Sequence, residues 1–489
     1  MATYDLLIRN VSIVDGSGDA AFVGDVAVHA GRIVAVGEVA GEATAEVDGN
    51  GLVLAPGFID VHTHDDLAVL KTPGMLPKLS QGVTTVVTGN CGISAAPVMP
   101  QNLLPDPMNL LGVAEEFCYR TFAEYVAAVN AAVPAVNVAA LIGHTALRSN
   151  HMDRLDRTAT ADEIAAMRTQ LQEALDGGAL GLSTGLAYLS AISATAGEVI
   201  ALAEPLAAAG GIYTTHMRSE TEAIRDAMEE SFAIGRAWGV PVIVSHLKCA
   251  GVANWGRSEE VLAALEGARE EQAVGCDCYP YAAGSSTLDL RQIDPRVKVT
   301  ITWCTPHPEM AGKTVAEIAE LWNVEQVEAG RRLQPAGAIY HSISETDMRR
   351  ILAHPATMIG SDGLPCDPLP HPRLWGTFPR VLGHYCRDEK LFSLEAAIHK
   401  MTGMPARRFQ LSDRGLIREG FAADLVLFDP ATIQDRATFT DSMQPSQGIK
   451  GVWVNGVCSY GADGSTGQRA GRFLPRGPKT AFSAGATQF

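Results

Sequence analysis

From about residue 57 to residue 362 the sequence keeps a rhythm: a short apolar run, then in most cases a stretch with helical period. Eight runs can be read, GFIDVH (57–62), GVTTVVTG (82–89), VNVAALIGH (136–144), ALGLSTG (179–185), GIYTTH (211–216), PVIVSH (241–246), AVGCDCYP (273–280) and ATMIGSD (356–362). They are nearly all apolar, as strands buried on both faces must be. The helix between the third and fourth runs is well marked: Thr160-Ala-Asp-Glu163 forms a capping box, and Gly177-Gly178 closes it. Eight β/α units predict a parallel (β/α)8 TIM barrel.

The two ends read differently. Residues 4–55 and the stretch after about 414 are short alternating strand segments bounded by Gly, Asn and Asp turns. We therefore expect one small β-sandwich domain from 1–56 plus 414–489, and a barrel over 57–413. About 75 residues separate the last two runs, too many for a structureless loop. They contain a helix-like stretch, KTVAEIAELWNVEQVEAGRRL, and we read 281–340 as a lid-like insertion over the barrel mouth.

Composition narrows the partners. Asp plus Glu is 55 against 38 Lys plus Arg, a net charge of −17, which disfavours nucleic acid and anionic membrane surfaces. Nine cysteines show no disulfide spacing, so reduced thiols and a cytoplasmic setting are expected. The start, MATYDLLIRN, lacks a secretory pattern, and no apolar run reaches membrane-span length. A monomer or small homo-oligomer is expected.

Metal-competent side chains stand at the ends of these runs. His62 and His64 close the first, Cys91 follows the second, His216 ends the fifth, His246 the sixth and Asp362 the eighth. In a barrel all C-terminal strand ends converge on one face, so residues spread over 300 positions can surround one point. Imidazole, thiolate and carboxylate are zinc ligands, and a catalytic zinc keeps one position open. A nearby carboxylate can move the proton. Taken singly, each has a plainer explanation: a strand-end His as a hydrogen-bonded structural residue, Cys91 as a small buried hydrophobe, Asp362 as a turn cap. The joint placement favours the metal. His144 is ambiguous, and Cys276 and Cys278 read as core or barrel lining.

The segments LAPGFIDVHTHDD, His216, His246 and GSDG resemble the amidohydrolase superfamily over nearly the whole chain. QGVTTVVTGNCGIS, THMRSE, SHLK, YPYAAGSS, ITWCTPHPE, PAGAIY, MIGSDGLP and HPRLWGTFPRVLG together resemble the D-aminoacylase (N-acyl-D-amino-acid deacylase) family. The resemblance implies a tight Zn2+ site at Cys91, His216 and His246, and a weaker one at His62, His64 and Cys91. It implies Asp362 as general acid/base, and Tyr279, Ser285 and Arg373 on the substrate's α-carboxylate. The implied reaction is hydrolysis of an N-acyl-D-amino acid to a carboxylate and a free D-amino acid, with D-selectivity resting on the resemblance alone.

Lys248 and Arg291 could each hold a side-chain carboxylate, which would make this an N-acyl-D-glutamate deacylase; we expect an apolar or broad preference instead. A cyclic-amide hydrolase of the dihydropyrimidinase kind would need a Lys on the fourth strand, and ALGLSTG offers none. A non-catalytic binding barrel should have lost ligands that this chain keeps.

Overall fold

The computed structural model describes residues 3–100 and 103–478. Eight parallel strand positions follow one another around a ring in chain order: β1 (Phe58–Asp60), β2 (Val83–Thr88), β3 (Asn137–Ala140), β4 (Gly181–Gly185), β5 (Ile212–His216), β6 (Val242–Val244), β7 (Val274–Cys278) and β8 (Thr357–Ile359). β3 breaks at Leu141 and resumes as Ile142–Gly143, which pairs with β4. Across the remaining seam, Asp362 N donates to the carbonyl of His62 (2.6 Å) and His64 N to that of Gly363 (3.0 Å). The chain is a TIM barrel.

Alternation along each strand sorts side chains to two cores. Ile59, Val87, Ala139, Ile212, Ile243 and Met358 cluster within the ring. Phe58, Val86, Val138, Tyr213, Val242, Val244 and Ile359 belong to the other core, which they share with the surrounding helices. Cys276 and Cys278 lie in the helix-facing core, with Asp277 between them on the opposite face.

The helix Ala161–Asp176 forms with its capping box at Thr160 and Glu163, and ends at Gly177. The stretch 313–333, read as one helix, is two: Val315–Trp322 and Gln326–Leu333. Asn323 takes a left-handed backbone (φ 52°) and ends the first, a position that Asn tolerates well. Strands Gly284–Thr287, Val299–Cys304 and Ala336–Tyr340 form a separate three-stranded antiparallel sheet beside these helices.

Strands from both termini share one nine-stranded sheet. Val53–Pro56 lies between the N-terminal Thr3–Ile13 and the C-terminal Leu425–Phe428. Among the described residues no helix is long and apolar enough to cross a membrane.

Candidate metal centre and active site

All six metal-competent residues meet at the C-terminal mouth of the ring. Their ligand atoms form two groups, His62, His64, Cys91 and Asp362, and Cys91, His216 and His246, with the atoms of each group within 4.8 Å of one another. Cys91 Sγ is common to both. It stands 3.1 Å from His62 Nε2 and 3.3 Å from His246 Nε2, and His246 Nε2 is 3.0 Å from His216 Nδ1. His64 Nε2 is 3.1 Å from Asp362 Oδ1. The backbone bonds across the β8–β1 seam are what bring His62 and His64 beside Asp362.

Three of these residues hold left-handed backbone: Cys91 (φ 54°), His246 (φ 36°) and Asp362 (φ 50°). Such conformations cost about 1–3 kcal/mol for a residue other than Gly, and they gather at functional sites. His246 illustrates the use. Val242 and Val244 face the helices, so strict alternation would send residue 246 the same way; the left-handed turn instead sets its ring against Cys91 and His216.

The donor set fits zinc: three or more borderline-soft nitrogen and sulfur donors converge from a rigid ring. Burial alone would raise the Cys91 thiol, but His62 and His246 outweigh it and hold it well below its ordinary value, in the thiolate form a metal requires. Burial would likewise raise the Asp362 carboxyl; Arg373, His62 and His64 overcome that and keep it ionised, well below the usual range.

A further layer orients these groups, as outer partners of metal ligands commonly do. Asp277 lies 3.2 Å from His62 Nδ1 and accepts from His246 N (2.9 Å). Glu220 lies 3.0 Å from His246 Nδ1. Beneath β1, the buried Lys78 Nζ donates to Asp60 Oδ2 (2.7 Å), Thr63 Oγ1 (2.9 Å) and Ser361 Oγ (3.0 Å), with Asp65 at 3.1 Å. The sequence reading missed Asp277, Glu220 and Lys78. A charged residue inside the buried run AVGCDCYP was a usable signal for Asp277. Glu220, four residues after His216, stood in the quoted THMRSE.

The remaining candidates separate. Arg373 is buried, with Nη1 2.9 Å from Asp362 Oδ2, Nη2 donating to the Ser285 carbonyl (3.0 Å) and its guanidinium 4.7 Å from the Tyr279 ring centre. Arg373 Nε and Tyr279 Oη find no hydrogen-bond partner among the described residues. Ser285 Oγ donates to the Ala338 carbonyl (3.3 Å). Lys248 is committed within the protein: its Nζ donates to Glu220 Oε1 (2.6 Å) and stands 2.8 Å from His246 Nδ1. Arg291 is half exposed and paired with Asp289 (2.6 Å). His144 lies outside the cluster, 3.2 Å from Glu198 in a buried ion-pair group with Arg148. A cavity of about 120 Å³ joins His64, His216, His246, Asp362, Tyr279 and Arg373 under Ser285 and Tyr340.

Imidazoles, a thiolate and a carboxylate gathered at this mouth define a metal-binding barrel. The sequence pattern of the amidohydrolase family matches residues 45–460. A D-aminoacylase of Alcaligenes xylosoxydans xylosoxydans is 49% identical over 474 residues, covering 97% of this chain and 98% of the relative. An N-acyl-D-aspartate deacylase of the same organism is 47% identical over 484 residues, covering 99% and 97%. The crystal structure of an N-acyl-D-glutamate deacylase from Bordetella bronchiseptica, complexed with zinc and a phosphonate inhibitor, matches with a TM-score of 0.94 at 44% identity, covering 97% of this chain and 100% of that one. The chain belongs to the amidohydrolase family, and it is a metal-dependent hydrolase.

Proposed function

We propose that this enzyme hydrolyses N-acyl-D-amino acids to a carboxylate and a free D-amino acid, with an apolar or broad side-chain preference. The observation that carries the reading is the position of Arg373, whose guanidinium sits against Asp362 at 2.9 Å: an anchor for a carboxylate adjoins the group that moves the proton. The relatives named above act on N-acyl-D-amino acids, which supports the D-hand.

Cys91, His216 and His246 would hold one zinc tightly, and His62 and His64 with Cys91 a weaker second. When bound, zinc supplies Lewis acidity at the reacting centre. The chain's own groups do the rest. Arg373, with Tyr279 and Ser285, grips the α-carboxylate by charge-assisted hydrogen bonds, which sets the scissile amide over the centre. Asp362 takes a proton from water as water adds to the acyl carbon. It returns that proton to the nitrogen as the C–N bond breaks. With carboxylate and carbonyl both fixed, the α-substituent has two possible directions, and the pocket accepts one.

Lys248 and Arg291 are each already neutralised, by Glu220 and Asp289. Both line the catalytic cavity, but unlike Arg373, whose Nε has no partner among the described residues, each is committed to its neighbouring carboxylate, which supports the apolar or broad preference. We further propose the domain division 1–56 plus 414–489 and 57–413, with 281–340 as the lid, and a cytoplasmic setting in keeping with nine free cysteines.

The test is an amine-release assay on zinc-loaded enzyme with N-acetyl-D and N-acetyl-L forms of Met, Leu and Glu. Cleavage of D-Met and D-Leu with inert L-forms is expected. Cleavage of D-Glu alone would overturn the side-chain reading, and no cleavage at all would overturn the deacylase reading.

A further inference from the structure

Beside the catalytic cavity lies a second, much larger one, of about 720 Å³. Its wall is mainly apolar: Leu104, Val113, Trp303, Pro335 and Pro365 are among the lining groups. The two cavities share Leu110 and Leu364. A third space, of about 320 Å³, lies against both, sharing Asp106 and Leu288 with the catalytic cavity and Asn109 and Pro335 with the large one. Leu364 follows Asp362 by only two residues, so the apolar wall begins beside the carboxylate that handles the reacting amide. Val113 at the rim is 60% exposed and Leu103 94% exposed. Soluble surfaces rarely leave such groups together without a use.

We infer that this groove receives the alkyl chain of the substrate's acyl group, making medium- and long-chain N-acyl-D-amino acids the preferred substrates. The inference rests on the deacylase reading above and adds the acyl class to it. Three observations choose this occupant. The groove adjoins the catalytic cavity across Leu110 and Leu364, so a chain that extends from the reacting acyl group past these two side chains enters it. Its volume is that of a drug-sized ligand site, far larger than an amino-acid side chain needs. Its mostly apolar wall offers a fatty chain burial, and of its charged lining groups Lys71 and Glu116 pair with each other at 2.6 Å while Asp367 would repel an anionic occupant.

The experiment is a substrate series on zinc-loaded enzyme, below micelle-forming concentrations: N-acetyl-, butyryl-, hexanoyl-, octanoyl- and decanoyl-D-leucine. A matched series adds the same methylenes to the side chain of N-acetyl-D-amino acids. Val113→Glu, at the exposed rim and away from the metal ligands, is run beside the wild type. Each acyl methylene is expected to raise kcat/KM by roughly threefold to fourfold until the groove is filled. Val113→Glu should leave the acetyl substrate unchanged and lower decanoyl cleavage by about tenfold or more, as a carboxylate set against an alkyl chain must.

A profile flat or falling from acetyl would overturn the inference and leave the deacylase reading intact. A Val113 dependence confined to the side-chain series would overturn it in favour of the α-substituent. A flat profile together with a dimer in sedimentation that Val113→Glu dissolves would assign the groove to a second copy of the chain. Failure to cleave any substrate, acetyl included, would remove the deacylase reading and the acyl assignment together.

Discussion

At the scale of single residues, the site divides into groups that touch the reaction and groups that hold those in place. In the proposed mechanism Asp362 belongs to the first. Its Oδ1 faces His64 and its Oδ2 faces Arg373, so Asp362→Asn keeps the shape and removes only the capacity to take a proton. Zinc content, measured by elemental analysis, should be unchanged at the tight site, while kcat falls by about 10²- to 10⁴-fold. More than a tenth of wild-type kcat surviving would rule out the role. Lys78 belongs to the second group. Its buried ammonium ties together the end of β1, the turn after it and Ser361 beyond β8. Lys78→Met leaves Asp60 and Asp65 buried without their cation and should cost about 3–5 kcal/mol in a denaturant titration. A loss under 1 kcal/mol would mean that water or a shift of the chain replaces it. The six metal-competent positions, the five proposed ligands and Asp362, were legible because each closes or follows a recognisable run. Lys78 was not, because it is one Lys in a short helix whose partners lie 18 and 283 positions away.

At the scale of elements, local signals were read well where the deciding chemistry is local. The helix at 161–176 announces itself by its cap and its terminal glycines. The 313–333 stretch does not announce its break, because Asn323 is tolerated in a helix and preferred in the left-handed turn, and the surrounding fold decides between them. The end of β3 was likewise ambiguous: His144 closes an apolar run just as His216 and His246 do, yet it opens the helix His144–His151. There it joins Arg148 and Glu198 from the helix Ala196–Ala203. Burial would raise the Glu198 carboxyl, but the His144 hydrogen bond, the Arg148 charge and the Ala159 N–H outweigh it and pull it from 4.5 to about 2. A folded-state value below the unfolded one contributes stability that is complete above pH 4.5 and lost as pH falls towards about 2. Thermal melts of Glu198→Gln should show a lower Tm at pH 7, because Arg148 is left unpaired. They should also show a shallower decline below pH 4.5 than wild type. An unchanged acid slope would mean that the group does not stabilise the folded chain.

At the scale of the whole molecule, the metal-competent groups are contributed by widely separated parts of one ring: the end of β1, the loop after β2, the ends of β5 and β6, and the loop after β8. The hydrogen-bond ladder and the two cores already close this ring, so the metal is expected to tighten a formed barrel and not to create it. Chelation should therefore abolish activity while leaving the far-ultraviolet circular dichroism nearly unchanged. Stability is a separate matter, because a ligand that binds only the folded state adds RT ln(1 + [L]/Kd), about 4 kcal/mol at a thousandfold excess over Kd. Zinc added back to the chelated protein should raise Tm with zinc concentration. Cys91→Ala, which removes the sulfur common to both ligand groups, should abolish most of that rise while His64→Ala, which touches one group, should keep it. Equal loss in the two variants would mean that the groups act as a single site. Loss of helical signal on chelation would mean that the barrel needs its metal to fold, and that the strand register by itself is not enough to hold the mouth in shape.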